Sequence, residues 1–239
     1  MKQINIILAL FVMLLSSCNS GDNNFREQIL TDKNRREYEQ ISEDTLNTRI
    51  YTLDNGLKVY LSKNEKEPKI QSFIAVSAGS ANDPSETTGL AHYFEHIMFK
   101  GTDKIGTLDW EKEKKLLEEI AYLFEEHRKT NNPAEKKAIY VKIDSISSVA
   151  SQFAIANEYL SIINSIGAEK VNAYTAEDRT VFMNEIPSNQ LEKWLILEKE
   201  RFSNMAVRLF HTELETVYEE FNTVYDQDSR KTYQALLSG

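Results

Sequence analysis

Cysteine is nearly absent from this chain: Cys18 is alone of its kind among 239 residues. That scarcity excludes a disulfide framework and any cysteine-rich zinc module. Positive charge is also in deficit, with 28 Lys and Arg against 37 Asp and Glu for a net charge of -9. An acidic balance argues against nucleic-acid binding, which needs a basic face to displace counterions from phosphates. The apolar run from Ile4 to Leu15, interrupted by Asn5, falls short of the ~20 residues that anchor a helix across a bilayer. Histidine is scarce too, at four residues, so a pair spaced four apart stands out. Core material is plentiful: 41% of the residues are hydrophobic and 10% aromatic, which argues against wholesale disorder. The length suits one domain, or at most one and a half, at ~100–200 residues per domain.

Lys2, the short apolar run and then Ser16-Ser17-Cys18 have the order of a secretory signal peptide. Cys18 stands where a bacterial lipobox has its cysteine, so the segment resembles a lipoprotein precursor. The resemblance implies cleavage before Cys18 and acylation on it. The chain is then expected in the bacterial cell envelope, tethered at the outer membrane or periplasmic face. A buried N-terminal helix with an incidental cysteine is the alternative. On the favoured reading residues 1–17 are the signal, and Cys18 is a lipid anchor and not a catalytic thiol. Residues 18–47 form a tether and N-terminal extension: Asn19 to Asn24 is polar and turn-prone, and Phe25 to Asn47 is charged and expected to be partly helical.

Ordered sheet signals begin at Arg49. The runs Arg49 to Leu53 and Leu57 to Leu61 flank Asp54-Asn55-Gly56, and Asn-Gly between two such runs predicts a hairpin. A third strand is expected over Ile70 to Val76. Ser85-Glu86-Thr87-Thr88 offers N-caps for a helix starting near Gly89. Between residues 108 and 166, Leu116, Leu117, Ile120, Leu123 and Phe124 recur at helical spacing, as do Ile139, Ile143, Ile146, Ala150 and Phe153. Thr130-Asn131-Asn132-Pro133 separates the two sets, so a helical hairpin is expected there. Gln190 to Met205 and Thr212 to Leu237 also read as helices.

The helix after Gly89 carries the chemistry. Its sequence includes His92-Tyr93-Phe94-Glu95-His96, and residues four apart on a helix share a face. His92 and His96 can therefore present two imidazoles to one ion, with Glu95 adjoining. Two neutral imidazoles and a carboxylate make the three-ligand set of a catalytic zinc that keeps a fourth position for water. A nearby unligated carboxylate can take a proton from that water. The spacing H-x-x-E-H is the signature of the inverzincins. Ordinary surface histidines are the bland alternative. His127 sits among charged residues on a solvated face, and His211 reads as an exposed helix-start histidine; neither joins the site.

Three blocks in order extend the match: Thr48 to Thr102 with its hairpin and loop, Asn172-Ala173-Tyr174-Thr175 with Thr180-Val181-Phe182, and Phe210 to Asn222. Together they resemble the N-terminal domain of the pitrilysin/insulinase family of zinc peptidases. The resemblance implies zinc as the cofactor, His92 and His96 as imidazole ligands, and Glu95 as the general base. The family's third ligand is a later glutamate preceded seven residues earlier by another functional glutamate. Glu213 and Glu220 match that pair, about two helical turns apart. Glu220 is then the third ligand and Glu213 a catalytic residue supporting the site, unless both belong to a solvated acidic face with Glu215 and Glu219. Asn172 and Ala173 are expected on a strand that takes substrate main chain as an added strand.

The expected fold class is α+β: a mostly antiparallel sheet with helices packed on one face, an inserted helical hairpin at about 108–166, and the first, metal-binding half of a pitrilysin-like chamber over 48–239. The expected function is a zinc-dependent metalloendopeptidase acting on peptides or unfolded polypeptides. Proteins of the resembled family continue into a second homologous half, so this domain is expected to be incomplete at its C-terminus and to work with such a half. A non-catalytic metal- or peptide-binding remnant is the alternative. Another zinc enzyme using H-x-x-E-H, the S-ribosylhomocysteine-cleaving lyase, would need a cysteine ligand, and Cys18 is far from the motif.

Overall fold

The computed structural model describes residues 25–237. The expected signal segment and the lipidation site Cys18 lie outside the described residues. The chain divides into two compact units, Met1–Glu67 and Pro68–Gly239.

The first unit is a four-stranded antiparallel meander of β1 (Glu27–Thr31), β2 (Glu37–Ile41), β3 (Arg49–Thr52) and β4 (Lys58–Leu61). The hairpin β3–β4 forms as its Asn-Gly turn predicts. Gly56 takes φ +86°, a left-handed value that favours glycine. Its N–H donates to the Leu53 carbonyl at 2.8 Å, and the Asn55 side chain accepts from the Leu57 N–H at 3.1 Å. Where a partly helical extension was expected, β1 and β2 form strands. Every residue of β1 is exposed, so no burial pattern marks it. The β1–β2 turn is organised by Asp32, whose Oδ1 accepts from the N–H groups of Asn34 and Arg36 at 2.8 and 2.9 Å. The Arg36 N–H, foremost, holds this carboxyl below the usual aspartate range.

The second unit opens with β5 (Lys69–Val76) and a 3₁₀ turn at Ser80–Asn82. Four helices follow: α1 (Leu90–Ile97), α2 (Trp110–Lys129), α3 (Pro133–Ser151) and α4 (Glu158–Ser165). Then come β6 (Glu169–Thr175), β7 (Thr180–Pro187), α5 (Leu191–Ser203), α6 (Phe210–Tyr225) and α7 (Asp228–Leu237). β5 and β6 both pair antiparallel with β7, giving the order β5-β7-β6. The central strand is the most buried, and Ile186 from it packs with Tyr159, Ile163, Trp194 and Leu197 of α4 and α5. The expected α+β class with antiparallel sheets and packed helices holds. The predicted third strand belongs to this sheet and pairs with β7.

The inserted hairpin is α2 and α3, joined by three residues. Asn132 caps α3 by accepting from the Ala134 N–H at 3.0 Å, with Pro133 at the first helical position. Asp109 caps α2 by accepting from the Lys112 N–H at 3.2 Å. Ile120, Ile143 and Ala150 are buried between the helices, with Leu116, Leu117, Leu123, Phe124, Ile139 and Ile146 around them. Phe153 lies past the end of α3, where its carbonyl accepts from the Leu108 N–H at 2.8 Å. The long helix expected from Thr212 onward is interrupted after Tyr225 by Asp226, which caps α6 before α7 begins.

Candidate metal centre

α1 starts because Asp83 and Gly89 shape its entry. The Asp83 carboxylate accepts from the Gly89 and Ala91 N–H groups at 2.7 and 2.8 Å, satisfying donors that a helix start leaves unpaired. Gly89 has φ +92°, and no cap comes from the expected Ser85 to Thr88. A sequence scan for caps looks next to the helix, and Asp83 reaches it from beyond a turn. The preceding loop is pinned to the β6–β7 turn: Ser80 and Ala81 N–H donate to the Ala176 and Glu177 carbonyls, both at 2.9 Å. Gly79 allows this approach, since a Cβ there would sit 2.3 Å from the Ala176 oxygen.

α1 packs against α6 and β6. Tyr93 and Ile97 are buried, while His92 and His96 are partly exposed. The Tyr93 hydroxyl donates to the Phe210 carbonyl at 3.3 Å and its ring meets that of Phe210 edge-on. Burial, with the Glu213 carboxylate nearby, pushes the Tyr93 phenol well above its ordinary pKa and keeps it neutral. This contact docks the first turn of α6, whose later turns carry the carboxylates.

The docking brings three side chains to one focus. Glu220 Oε2 lies 3.6 Å from His92 Nε2 and 3.4 Å from His96 Nε2. One ligand atom from each of His92, His96 and Glu220 falls within 4.8 Å of the others. Ligands ~2.1 Å from a tetrahedral zinc are ~3.4 Å apart, so these separations fit such an ion. Glu220 is half exposed, leaving the solvent side of the focus open. Glu213 stands behind it: Oε2 is 3.5 Å from His96 Nδ1 and Oε1 is 2.5 Å from Lys100 Nζ. A carboxylate on the far nitrogen of a ligating imidazole fixes the ring and its tautomer.

Glu95, on the same helix between the two histidines, is 8% exposed. Thr175 Oγ1 donates to its Oε2 at 2.6 Å, the one hydrogen bond to this carboxylate among the described residues. Thr175 is held in turn by its cross-strand partner Thr180, 3.3 Å away, whose hydroxyl donates to the Ala78 carbonyl at 2.9 Å. Thr175 lies in the second block of the resemblance, which implies no role for it. The signal was alternation: Ala173 and Thr175 share a strand face, and Asn172 lies on the other. β6 is an edge strand, with β7 on one side. The Asn172 side chain accepts from the Ala173 N–H at 2.9 Å, so both predicted contact residues stand on that edge.

Lys100 was also missed, although it lies one turn beyond His96. His211 is not exposed as expected. Its ring packs among Phe124, Tyr140 and Phe210, and its Nε2 is buried without a partner among the described residues. His127 is half-buried beside Tyr140. Neither is part of the His92–His96–Glu220 group.

The H-x-x-E-H helix lies on an antiparallel sheet, with a glutamate returned to it from a second helix, an arrangement that fits the inverzincin motif. Residues 58–123 match the family model described as Insulinase (Peptidase family M16). Protease 3 of Shigella flexneri is 36% identical over 106 residues, covering 43% of this chain and 10% of that protein. The insulin-degrading enzyme of Drosophila melanogaster is 38% identical over 66 residues, covering 28% and 7%. Among solved structures, the first half of the periplasmic protease PqqL from Escherichia coli is similar with a TM-score of 0.55 and 18% identity, covering 82% of this chain and 33% of that one. Pitrilysin is similar with a TM-score of 0.51 and 20% identity, covering 85% and 16%. The matched stretch is similar to M16 family peptidases, and the fold is like that of the first half of PqqL and of pitrilysin. The chain spans about a tenth of the length of the curated relatives it matches.

Proposed function

We propose that this chain is the metal-binding part of a zinc-dependent metalloendopeptidase, with His92, His96 and Glu220 as ligands. The observation that carries the reading is the pair of 3.6 and 3.4 Å separations between Glu220 and the two imidazoles. Zinc bound there supplies Lewis-acid polarisation of a carbonyl and a water whose pKa falls to about 7. Glu95 is the general base: it takes a proton as water oxygen bonds to the peptide carbonyl carbon. It returns that proton to the nitrogen as the C–N bond breaks. Thr175 holds Glu95 Oε2 during this exchange, and Glu213 steadies His96. The edge of β6 at Asn172 and Ala173 offers main-chain groups to an extended peptide, with the Asn172 side chain giving up the Ala173 N–H to it.

A second homologous half, on a longer chain or a separate subunit, is part of the proposal. Leu214, Tyr218, Phe221 and Tyr225 of α6 form an exposed stripe at helical spacing, and an apolar surface of that kind fits an interaction face. Export and lipid attachment at Cys18 rest on the sequence alone. Among the described residues no helix is long and apolar enough to cross a membrane.

The test is peptide hydrolysis by the chain alone and mixed with a complementing half, with zinc counted by mass spectrometry. Wild type is expected to hold one zinc and to cleave in the competent pairing, and Glu95→Gln to hold zinc without cleaving. One zinc with no hydrolysis in any pairing would favour a binding remnant.

A further inference from the structure

Arg208 is one of two fully buried arginines among the described residues, and the chemistry above uses neither. Arg208 is 1% exposed, as is its partner Glu113. All five guanidinium N–H donors are engaged. Nε donates to Glu113 Oε1 at 2.8 Å and Nη2 to Glu113 Oε2 at 3.1 Å. Nη1 donates to the Lys100 and Ile105 carbonyls, both at 2.9 Å, and Nη2 to the Thr102 carbonyl at 2.7 Å.

The donor and its acceptors together sit at three helix ends. Lys100, Thr102 and Ile105 lie in the loop leaving α1, which carries both histidines. Glu113 is in the first turn of α2, the inserted hairpin. Arg208 itself lies two residues before α6, which carries Glu213 and Glu220. The loop is shaped around the guanidinium: a Cβ on Gly101 or Gly106 would stand 2.9 or 2.8 Å from Nη1, and both glycines have positive φ. Leu209, next along, takes φ +55° and starts α6, a left-handed turn that a bulky side chain adopts only when its surroundings impose it.

The geometry points to Arg208, paired with Glu113, as a positioning residue that sets the angle of α6 and so brings Glu220 to the two histidines. The inference rests on the metal-binding reading above and gives the inserted hairpin a part in it. The lever is long: Glu220 lies ten residues into α6, about 15 Å along its axis, so a tilt of about 10° at the Arg208 end moves its carboxylate by about 2–3 Å. That displacement is comparable to the whole ligand separation. A lysine cannot replace the fork, because an ammonium has three donors and no planar pair for Glu113.

The experiment uses the full chain and a matched control. Arg201 is equally buried and paired with Glu198 in the other core cluster, among Phe99, Tyr159 and Phe182. Zinc affinity is read by competition with a chromophoric chelator for wild type, Arg208→Lys and Arg201→Lys, each with its melting temperature. The expected result is at least a tenfold weakening of zinc binding in Arg208→Lys, and a change under twofold in Arg201→Lys at a similar loss of melting temperature. The doubly neutral variant Arg208→Met/Glu113→Leu guards against misfolding from a stranded charge, and it too should bind zinc at least tenfold more weakly. Equal effects of the two lysine variants on zinc, or none from Arg208→Lys, would overturn the inference. Should wild type bind no zinc, the metal reading fails and amide exchange decides: protection over 213–220 must fall at least tenfold more in Arg208→Lys than in Arg201→Lys, and equal loss refutes the joint. Zinc binding without hydrolysis would fail the peptidase proposal and leave this test unaffected.

Discussion

Replacing Thr175 by Val removes one hydroxyl and keeps the shape of the side chain. That hydroxyl is the donor to Glu95, at 2.6 Å, on a carboxylate that is 8% exposed. A hydrogen bond to a charged group contributes ~1.5–3 kcal/mol, and each ~1.4 kcal/mol is tenfold in rate when the bond serves the transition state. A loss in kcat of roughly 10- to 150-fold is therefore expected if the bond holds Glu95 in its reactive pose. Zinc stoichiometry should not change, because Thr175 touches none of the three proposed ligands. KM should move little, since the change lies at the base and not along the strand edge. The assay is steady-state cleavage of a fluorogenic peptide by the competent pairing, with zinc counted in the same samples. Thr175→Ser keeps the hydroxyl and should recover most of the rate. A Thr175→Val enzyme with wild-type kcat would refute the reasoning, and Glu95 would have to be oriented by something else.

Other substitutions probe other parts of the account. Glu213→Gln should weaken zinc binding ~10- to 100-fold, the range for groups that orient a ligating imidazole, with chelator competition as the readout. Ile143→Ala, in the seam between α2 and α3, should destabilise the protein by ~2–5 kcal/mol in denaturant unfolding. Glu185 accepts from Lys69 Nζ at 2.7 Å and Lys170 Nζ at 2.9 Å, and Lys69 foremost holds its carboxyl below the usual glutamate range. A depressed folded-state pKa contributes stability above the unfolded value of about 4.3 and loses it as pH falls through the lower folded value. The stability advantage of wild type over Glu185→Gln should thus be present at pH 7 and shrink from about pH 4 downward in acid titrations.

Local signals in the sequence carried a good part of this structure. Asp54-Asn55-Gly56 between alternating runs formed its hairpin. Apolar spacing and Asn132-Pro133 marked the helix pair and its turn, but the pair ends at Ser151 and a separate helix, Glu158–Ser165, fills the rest of the expected insertion. His92 and His96 met because four residues make about one helical turn. The resemblance brought in Glu220, which local physics alone could not tell from its neighbours Glu215 and Glu219. The misses share a cause, which is that the deciding partner is distant or the signal has no burial behind it. β1 is exposed throughout and β2 is buried only in part, without alternation, so Phe25 to Asn47 read as a charged extension. Asp83 caps α1 from across a turn, outside the window in which caps are sought. Thr175 and Glu95 are eighty residues apart, and Arg208 and Glu113 are ninety-five. His211 looked solvated because Phe124 and Tyr140, which cover it, arrive from the inserted hairpin.

X-ray absorption at the zinc edge, on the zinc-loaded chain and on Glu220→Ala, bears most directly on the central claim. The account predicts two imidazole nitrogens and a carboxylate oxygen at about 2.0–2.2 Å, with solvent completing the shell. It further predicts that the alanine variant either loses the metal or exchanges that carboxylate oxygen for solvent, with both histidines still bound. An unchanged first shell and unchanged affinity in Glu220→Ala would contradict it.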